Sequence, residues 1–318
     1  MHENNAIEHE QEKKGGLKFS LIMATLNRFN KPKLFLRSLC NQTYKNFELI
    51  VVDQNQGNKL KAALKPFYGS GFQILHLRSK PGLSRARNVG LDYASGDVVA
   101  FPDDDCCYPA VLLEWVNDWL QKHPDYDGIS GRSVLPAKGA LDQLCPDPGG
   151  GCFDLNKKIS GKIDSVGKFD TKAGQITRYN IWKRTTSISL FLRRTEITES
   201  LRFDSDLGLG SDTGYGCAED IDFPLRAMLR GAQLYYDPHL CVVHPDTRKE
   251  YDEKDIQQAE LFGAGKGYVL RKHKYPLWFI IIRLLAPLYY TMRYLIPQYS
   301  RARFHLSVFR GRIRGLRG

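Results

Sequence analysis

Four apolar, strand-like runs alternate with helix-like stretches in the first third of the chain. The runs fall at residues 17–26, 47–52, 72–77 and 97–101. The second of them, Phe-Glu-Leu-Ile-Val-Val, is typical of a strand that is buried on both faces of a parallel sheet. Short loops join these runs to the intervening helical stretches. This alternation predicts an α/β fold with a Rossmann-like, doubly wound and mostly parallel sheet.

Three consecutive carboxylates, Asp103, Asp104 and Asp105, follow the fourth run. Open parallel sheets bind ligands beyond the carboxyl ends of their strands, so an α/β protein presents chemistry at this position. Like charges in a row repel one another unless a cation neutralises them, and hard divalent cations take carboxylate ligands. Asp103 and Asp105 alternate along an extended segment and point the same way, which makes them candidate metal ligands. The alternative is a polar turn that ends a strand.

Length and composition allow one large or two ordinary domains. The chain has 318 residues, of which 42% are hydrophobic. Residues 1–16 are polar and charged, and we expect a flexible leader there, neither a secretory signal nor a membrane span. The net charge of +11 is concentrated between residues 261 and 318, where twelve Lys or Arg occur without one Asp or Glu. The rest of the chain is therefore close to neutral.

The C-terminal tail, residues 251–318, contains an apolar stretch at 277–296. Arg283, Pro287 and Arg293 interrupt that stretch, and an Arg near the bilayer centre costs at least about 2.5–3.5 kcal/mol. A helix that lies in the membrane interface tolerates such residues. We predict a basic amphipathic tail that associates with an anionic membrane surface. A single membrane span and a helix packed on the domain are the alternatives, and the apolar block argues against nucleic acid as the partner.

A second acidic pair, Glu219 and Asp220, opens a helix-like stretch at residues 218–231. A glycine-rich loop precedes it and can bring backbone close to a ligand. The pair is therefore a candidate for general-base chemistry, although carboxylates are also favoured at any helix N-terminus. His244 follows the next predicted strand, at residues 233–236, and is a candidate metal ligand or a simple turn residue. Residues 136–180 form a long Gly-, Pro- and Lys-rich stretch, typical of a functional or disordered loop.

Together these segments resemble the inverting family-2 glycosyltransferases, which have the GT-A fold. The resemblance covers about residues 17–250 and implies a nucleotide-sugar half at about 17–110 and an acceptor half at about 111–250. The matching pieces keep the family's order: Phe19-Ser-Leu-Ile-Met-Ala-Thr-Leu-Asn-Arg28, Ser38-Leu-Cys-Asn-Gln-Thr-Tyr44, Phe47-Glu-Leu-Ile-Val-Val-Asp53, Arg85-Ala-Arg-Asn88, Ala94-Ser-Gly-Asp97, the triplet as the DxD equivalent, Glu219-Asp220 as the ED pair, and His244.

The resemblance implies roles for individual residues. Asp220 is the expected general base, and Glu219 is expected to position the acceptor or Asp220. Arg87 is expected to be exposed to solvent. The expected metal ligands, for Mn²⁺ or Mg²⁺, are Asp103, Asp105 and His244. The expected nucleotide-sugar contacts are Thr25, Asn27, Arg28, Asp53, Arg85, Asn88, Asp103 and Asp104. Two departures from the family pattern, Cys106 in place of a fourth acid and the loop at residues 54–57, bear on the base and sugar of the donor.

The implied activity is metal-dependent, inverting transfer of a single sugar from a nucleotide sugar, with a UDP-sugar favoured. The motif Gln175-Ile-Thr-Arg-Tyr179 precedes the acidic pair, unlike the QxxRW of processive synthases, which favours single transfer. The expected acceptor is a saccharide or a polyprenyl-linked saccharide of cell-surface polysaccharide assembly. The expected location is cytoplasmic, on the inner face of the plasma membrane. A catalytically silent nucleotide-sugar-binding or scaffold protein and a nucleotidyltransferase are the alternatives.

Overall fold

The computed structural model describes residues 15–134, 169–244 and 251–318. Nearly all of the predicted leader at 1–16 and most of the long loop predicted at 136–180 lie outside these ranges. Within them the chain forms a central sheet with helices on both faces and a helical C-terminal region.

The strands form one mixed sheet in the order β3-β2-β1-β4-β7-β5-β8-β6. The first four strands, β1 to β4, pair with one another in parallel. Strand β7 is antiparallel to both β4 and β5, and β6 is antiparallel to β8. The predicted α/β, doubly wound and mostly parallel sheet is confirmed. The strand bounds are β1 Phe19–Thr25, β2 Phe47–Asp53, β3 Gln73–Arg78, β4 Val98–Ala100, β5 Gly128–Val134, β6 Gly174–Gln175, β7 Leu190–Arg193 and β8 Leu234–Val243.

Helices cover both faces of the sheet because the strand side chains alternate between two apolar clusters. Ile22 and Val52 point into the cluster that contains residues of α3 and α5, whereas Leu21 and Val51 point into the cluster with α1, α2 and α4. The helix bounds are α1 Pro32–Cys40, α2 Lys59–Leu64, α3 Leu83–Tyr93, α4 Leu112–Lys122, α5 Glu219–Leu229, α6 Glu253–Lys272, α7 Leu277–Tyr294 and α8 Tyr299–Arg317.

Strand β5 was not predicted from the sequence. Its sequence, Gly-Ile-Ser-Gly-Arg-Ser-Val, has neither an apolar run nor clean alternation, yet it is almost wholly buried between β7 and β8. At Gly131 a Cβ would lie 2.0 Å from the carbonyl oxygen of Leu240, so the bulged pairing with β8 admits only glycine there. The strand predicted at 233–236 is also longer than expected, and its extension carries the chain to His244.

The C-terminal region is packed onto the domain through its first helix. A Cβ at Gly265 of α6 would lie 2.2 Å from the carbonyl oxygen of Cys217, in the loop before α5. At the end of α6, Lys272 and His273 each lie 2.8 Å from the buried Asp222 carboxylate. Helix α6 therefore contacts both the loop before α5 and α5 itself.

Glycines allow α8 to cross α6 at backbone contact distance. A Cβ at Gly267 would lie 2.2 Å from the carbonyl oxygen of Arg312, and one at Gly311 would lie 2.0 Å from that of Glu260. Gly263 and Gly315 make equivalent approaches. The segment Gly263-Ala-Gly-Lys-Gly267, which superficially resembles a phosphate-binding loop, is thus a helix-packing surface.

Helix α7 leaves an apolar face uncovered. Phe279 and Pro287 are buried, but the face opposite them is open, and its exposed side chains are Leu277, Trp278, Ile281, Ile282, Leu285, Tyr289 and Met292. Ile296, just beyond the helix, is 94% exposed. None of the helices described here is both long and apolar enough to cross a bilayer.

Candidate functional site

The site lies where the carboxyl ends of β1, β2 and β4 meet. Thr25 closes β1 and Asp53 closes β2. Asp103 follows β4 and forms a parallel bridge with Ala24, which extends the sheet to the acidic triplet. The parallel register therefore places polar residues from three sequence segments at one edge, as expected for an open α/β sheet.

Asp103, Asp105 and His244 converge at this edge. One ligand atom from each, two carboxylate oxygens and an imidazole nitrogen, lies within 4.8 Å of the others. The His244 Nε2 atom is 3.2 Å from Asp105 Oδ1 and 3.8 Å from Asp103 Oδ2. Burial lowers the pKa of His244, but the hydrogen bond to Asp105 and the charge of Asp103 outweigh it, so the pKa is raised. The three side chains could hold one cation between them.

Asp104 points away from that cluster. Its carboxylate accepts a hydrogen bond from Thr25 Oγ1 at 2.5 Å and another from Arg28 Nη1 at 2.7 Å. Burial raises the pKa of Asp104, although both partners oppose the rise. In this conformation Asp104 orients Thr25 and Arg28.

Two cations neutralise Asp105. Arg28 Nη1 lies 2.9 Å and Lys31 Nζ lies 3.1 Å from its Oδ2. Burial would raise the pKa of Asp105, but the hydrogen bond and charge of His244, with Arg28 and Lys31, hold it well below the ordinary value. Lys31 was not predicted from the sequence. Its position before Pro32 at the start of α1 was the only available signal.

Arg87 connects the two acidic groups, and the expectation that it is exposed was wrong. It is 1% exposed. Its guanidinium donates to Glu219 Oε1 at 3.1 Å, to Asp103 Oδ1 at 3.3 Å and to Ser187 Oγ at 2.9 Å. Arg87 faces the site because α3 buries this side of the helix against the sheet.

Glu219 and Asp220 open α5 after Ala218, whose φ of 76° turns the chain sharply into the helix. Glu219 is buried, and burial together with the charge of Asp220 raises its pKa to about 7. Its Oε2 atom has no hydrogen-bond partner among the described residues. Asp220 is partly exposed, and desolvation raises its pKa as well. The pair thus combines a buried, positioned carboxyl with an accessible one.

We expect Glu219→Gln to remove a pH dependence of stability. The folded-state pKa of Glu219, about 7, lies above the ordinary 4.5. The protonated Glu219 carboxyl therefore contributes its full stabilisation of the fold below pH 4.5, and this contribution is lost as the pH rises through 7. At pH 8 the variant should exceed the wild type in free energy of unfolding by at most about 3 kcal/mol. Urea unfolding at pH 5 and pH 8 measures the difference. Equal pH slopes for the two proteins would contradict a raised pKa.

Other predicted nucleotide contacts have partners of their own. Asp53 is fully buried, accepts from Asn55, and lies 3.0 Å from both His76 Nε2 and Arg78 Nη1. Asn27 has a φ of 56° and donates its backbone N–H to the Asn55 side chain. Thus Asp53 fixes the loop that would surround a base.

Arg85 and Asn88 do not share a face toward the acidic triplet. Asn88 accepts from the backbone N–H of Phe203 at 2.6 Å and donates to its carbonyl at 2.9 Å. Arg85 lies at the surface, 3.1 Å from Asp212. In this conformation Asn88 anchors the loop before α5, and Arg85 pairs with that loop.

Comparison with known proteins assigns this architecture. Residues 20–136 match Glycosyl transferase family 2. The chain is 30% identical over 147 residues to an Escherichia coli UDP-Glc:α-D-GlcNAc-diphosphoundecaprenol β-1,3-glucosyltransferase, covering 43% of this chain and 58% of the relative. It is 29% identical over 156 residues to a Campylobacter jejuni GalNAc(5)-diNAcBac-PP-undecaprenol β-1,3-glucosyltransferase, covering 48% of each. The chain thus spans about half the length of these curated relatives.

Solved structures show the same fold at low sequence identity. A mannosyltransferase from Pyrobaculum calidifontis, in complex with GDP-Man and Mn²⁺, has a TM-score of 0.58 at 15% identity, covering 95% of this chain and 88% of that one. TarS from S. aureus has a TM-score of 0.55 at 17% identity, covering 93% and 55%. Residues 20–136 thus belong to glycosyl transferase family 2, and the chain shares the GT-A-like α/β fold of these solved structures.

Proposed function

We propose that the protein transfers a single sugar from a nucleotide sugar, preferably a UDP-sugar, to a hydroxyl of a saccharide or lipid-linked acceptor, with inversion at the anomeric carbon. The observation that carries this proposal is the convergence of two acidic groups joined by one buried arginine. Asp103 and Asp105 with His244 form the first group, Glu219 and Asp220 form the second, and Arg87 contacts both.

The first group suits a divalent cation. Two carboxylates and an imidazole within 4.8 Å of one another are a donor set for Mn²⁺ or Mg²⁺, and the imidazole favours Mn²⁺ slightly. Asp103 is 37% exposed at its side chain, which leaves the ligand set open on one side. The chemistry that such a cation supplies when bound is Lewis-acid relief of the charge on a departing diphosphate.

The protein side chains would perform the remaining tasks. Thr25, Arg28 and Asp104 form a hydrogen-bonded group next to the cation ligands and would orient the nucleotide. Asp220 would accept the proton of the attacking acceptor hydroxyl, since it is accessible and burial raises its pKa. Glu219, held by Arg87, would position Asp220. A single base with direct displacement gives inversion.

Loss of one metal ligand tests the first group. We expect Asp105→Ala to weaken Mn²⁺ binding by more than about tenfold and to abolish metal-dependent nucleotide release. Calorimetric Mn²⁺ titration and a nucleotide-release assay measure the two effects. Asp92→Ala, which removes a surface carboxylate paired with Arg202, is the matched control. Undiminished Mn²⁺ affinity in Asp105→Ala would refute the metal site.

The uncovered face of α7 supports membrane association at the cytoplasmic surface, where lipid-linked acceptors would be available. Its apolar side chains would enter the headgroup region, and each nearby Lys or Arg of the tail would contribute roughly 1 kcal/mol on anionic lipid. The names of the E. coli and C. jejuni relatives, which specify diphosphoundecaprenol- or PP-undecaprenol-linked acceptors, also favour a lipid-linked acceptor.

We expect the double variant Ile282→Ser/Met292→Ser to bind anionic vesicles at least about tenfold more weakly, because each exposed side chain loses roughly 1.5–3 kcal/mol of burial. Both side chains lie on the open face, at 55% and 77% exposure. Co-sedimentation with phosphatidylglycerol vesicles measures the change. Leu229→Ser, at a 66% exposed position at the end of α5, is the control. Equal binding by both variants would exclude α7 as the contact.

A further inference from the structure

Three cationic side chains from three C-terminal helices lie near the start of α5, which carries Asp220. Lys266 belongs to α6, Arg283 to α7 and Arg312 to α8. Burial lowers the pKa of each of them, that of Arg312 to about 10, and their charges repel one another. Lys266 interacts electrostatically with Asp220, with Arg312 and with Arg283. The cluster therefore adjoins the proposed catalytic base.

The cluster lacks a matching set of acids. No Asp or Glu occurs between residues 261 and 318. The buried Nε atoms of Arg283 and Arg312 have no hydrogen-bond partner within the described parts of the chain. Among the residues that the structure describes, the Arg312 guanidinium donates to a neutral group, the backbone carbonyl of Arg283. Against these three half-buried cations stands one carboxylate, that of Asp220, so a further anion would stabilise the cluster.

Aromatic rings fix one edge of the cluster. The Arg283 guanidinium carbon lies 5.0 Å from the centroid of the Trp182 ring and 4.9 Å from that of Phe279. The neighbouring Ile282 on the same helix points outward on the exposed apolar face. Helix α7 thus presents a cation toward the catalytic domain and apolar side chains toward its surroundings.

We propose that Lys266, Arg283 and Arg312 bind the phosphate or diphosphate group that links the acceptor saccharide to its lipid. This inference rests on the proposed function and names the acceptor's anionic group. With the phosphates at the cluster, the first sugar extends toward Asp220 and the lipid follows the apolar face of α7. The donor diphosphate would occupy the other side of Arg87, at Asp103 and Asp105, so the two anions have separate sites.

Binding of inorganic pyrophosphate to the full-length protein in EDTA tests the site without any contribution from a divalent cation. We expect the wild type to bind it and Arg312→Gln to bind it about tenfold or more weakly, since a charge-assisted hydrogen bond is lost. Arg310→Gln, an exposed position on the same helix with the same change in charge, should bind as the wild type does. Absence of wild-type binding, or equal affinities for both variants, overturns the proposal.

Lys266→Gln is a second test variant that keeps the proposal testable if Arg312→Gln fails to fold. The melting temperature of each variant shows whether it is folded. Relief of repulsion among buried cations predicts melting temperatures no lower than that of the wild type. Lys266→Gln must also weaken pyrophosphate binding, and a well-folded variant with wild-type affinity overturns the proposal.

A second arm separates the acceptor phosphate from a phospholipid headgroup. Wild-type protein should have a lower KM for a saccharide-diphosphate-lipid than for the same saccharide on an alkyl chain, and Arg312→Gln should lose this preference. If Arg312→Gln instead loses binding to anionic vesicles and keeps the preference, the cluster binds headgroups and the proposal is wrong. Pyrophosphate binding without any sugar transfer would refute the proposed function and leave the anion site standing.

Discussion

Asp220→Asn is expected to lower kcat by about 10²–10⁴-fold, the usual contribution of a positioned general base, while the Kd of the donor stays unchanged. The amide keeps the shape of the side chain at the start of α5 but cannot accept the proton of the acceptor hydroxyl. Initial rates of transfer and calorimetric donor binding measure the two quantities separately. Because desolvation raises the pKa of Asp220, wild-type kcat should also fall as the pH is lowered through that raised value.

Asp212→Asn is the control, since Asp212 is an exposed carboxylate on the loop before α5 that pairs with Arg85 at the surface. It should retain wild-type kcat. A protein that only binds nucleotide sugars would show the same behaviour for both variants. Equal, undiminished turnover in Asp220→Asn would move the general base to another residue, with Glu219 the first candidate.

Arg87→Met is expected to lower the free energy of unfolding by about 3 kcal/mol, the lower end of the range for breaking a buried ion pair. Methionine fills part of the space, but Glu219 and Asp103 lose the cation between them. The cost stays at the lower end because Glu219, with a pKa of about 7, can be protonated. Urea denaturation near pH 7 measures the loss.

Arg85→Met, on the same helix, is the matched control, because its ion pair with Asp212 is exposed and worth at most about 1 kcal/mol. The double variant Arg87→Met/Glu219→Gln should be more stable than Arg87→Met alone, since it no longer buries an unpaired carboxyl. A loss no greater for Arg87→Met than for Arg85→Met would mean that the Arg87 bridge contributes nothing to stability.

The first half of the fold was predictable because three of its four strands, β1, β2 and β4, are almost wholly buried. Residues 47–52 form an almost continuous apolar run, and such runs are readable from a single sequence. Strand β5 was not predictable, because its burial depends on Gly131 fitting against Leu240, more than one hundred residues away. Asp103, Asp105 and His244 were expected to meet, and the structure brings them together.

The roles along α3 were harder to predict. Arg85, Arg87 and Asn88 lie on one helix, and their spacing alone does not say which side faces the site. Arg87 is directed inward by Glu219 and Asp103, whereas Asn88 is held by the backbone of Phe203. These partners come from distant segments of the chain, so the side of α3 that faces the site is evident only in the folded structure.

The tail illustrates the same limit. Its charge and its apolar stretch were evident from composition, but the packing of α6 against α8 depends on glycines in two helices that face each other. Gly267 and Gly311 can be recognised as packing positions only when α6 and α8 are seen in contact, each glycine against the backbone of the other helix. The cluster of Lys266, Arg283 and Arg312 likewise exists only once three helices have packed.

The most direct test of the central claim is a transfer assay with purified full-length protein. UDP-, GDP- and dTDP-sugars are offered with a saccharide-diphosphate-lipid acceptor, in Mn²⁺, Mg²⁺ or EDTA, and products are followed by mass spectrometry and by NMR of the anomeric configuration. We predict metal-dependent transfer of one sugar from one donor, with inversion, and no transfer by Asp105→Ala. Transfer that is unaffected by EDTA and by Asp105→Ala, or a product with retained configuration, would contradict the account.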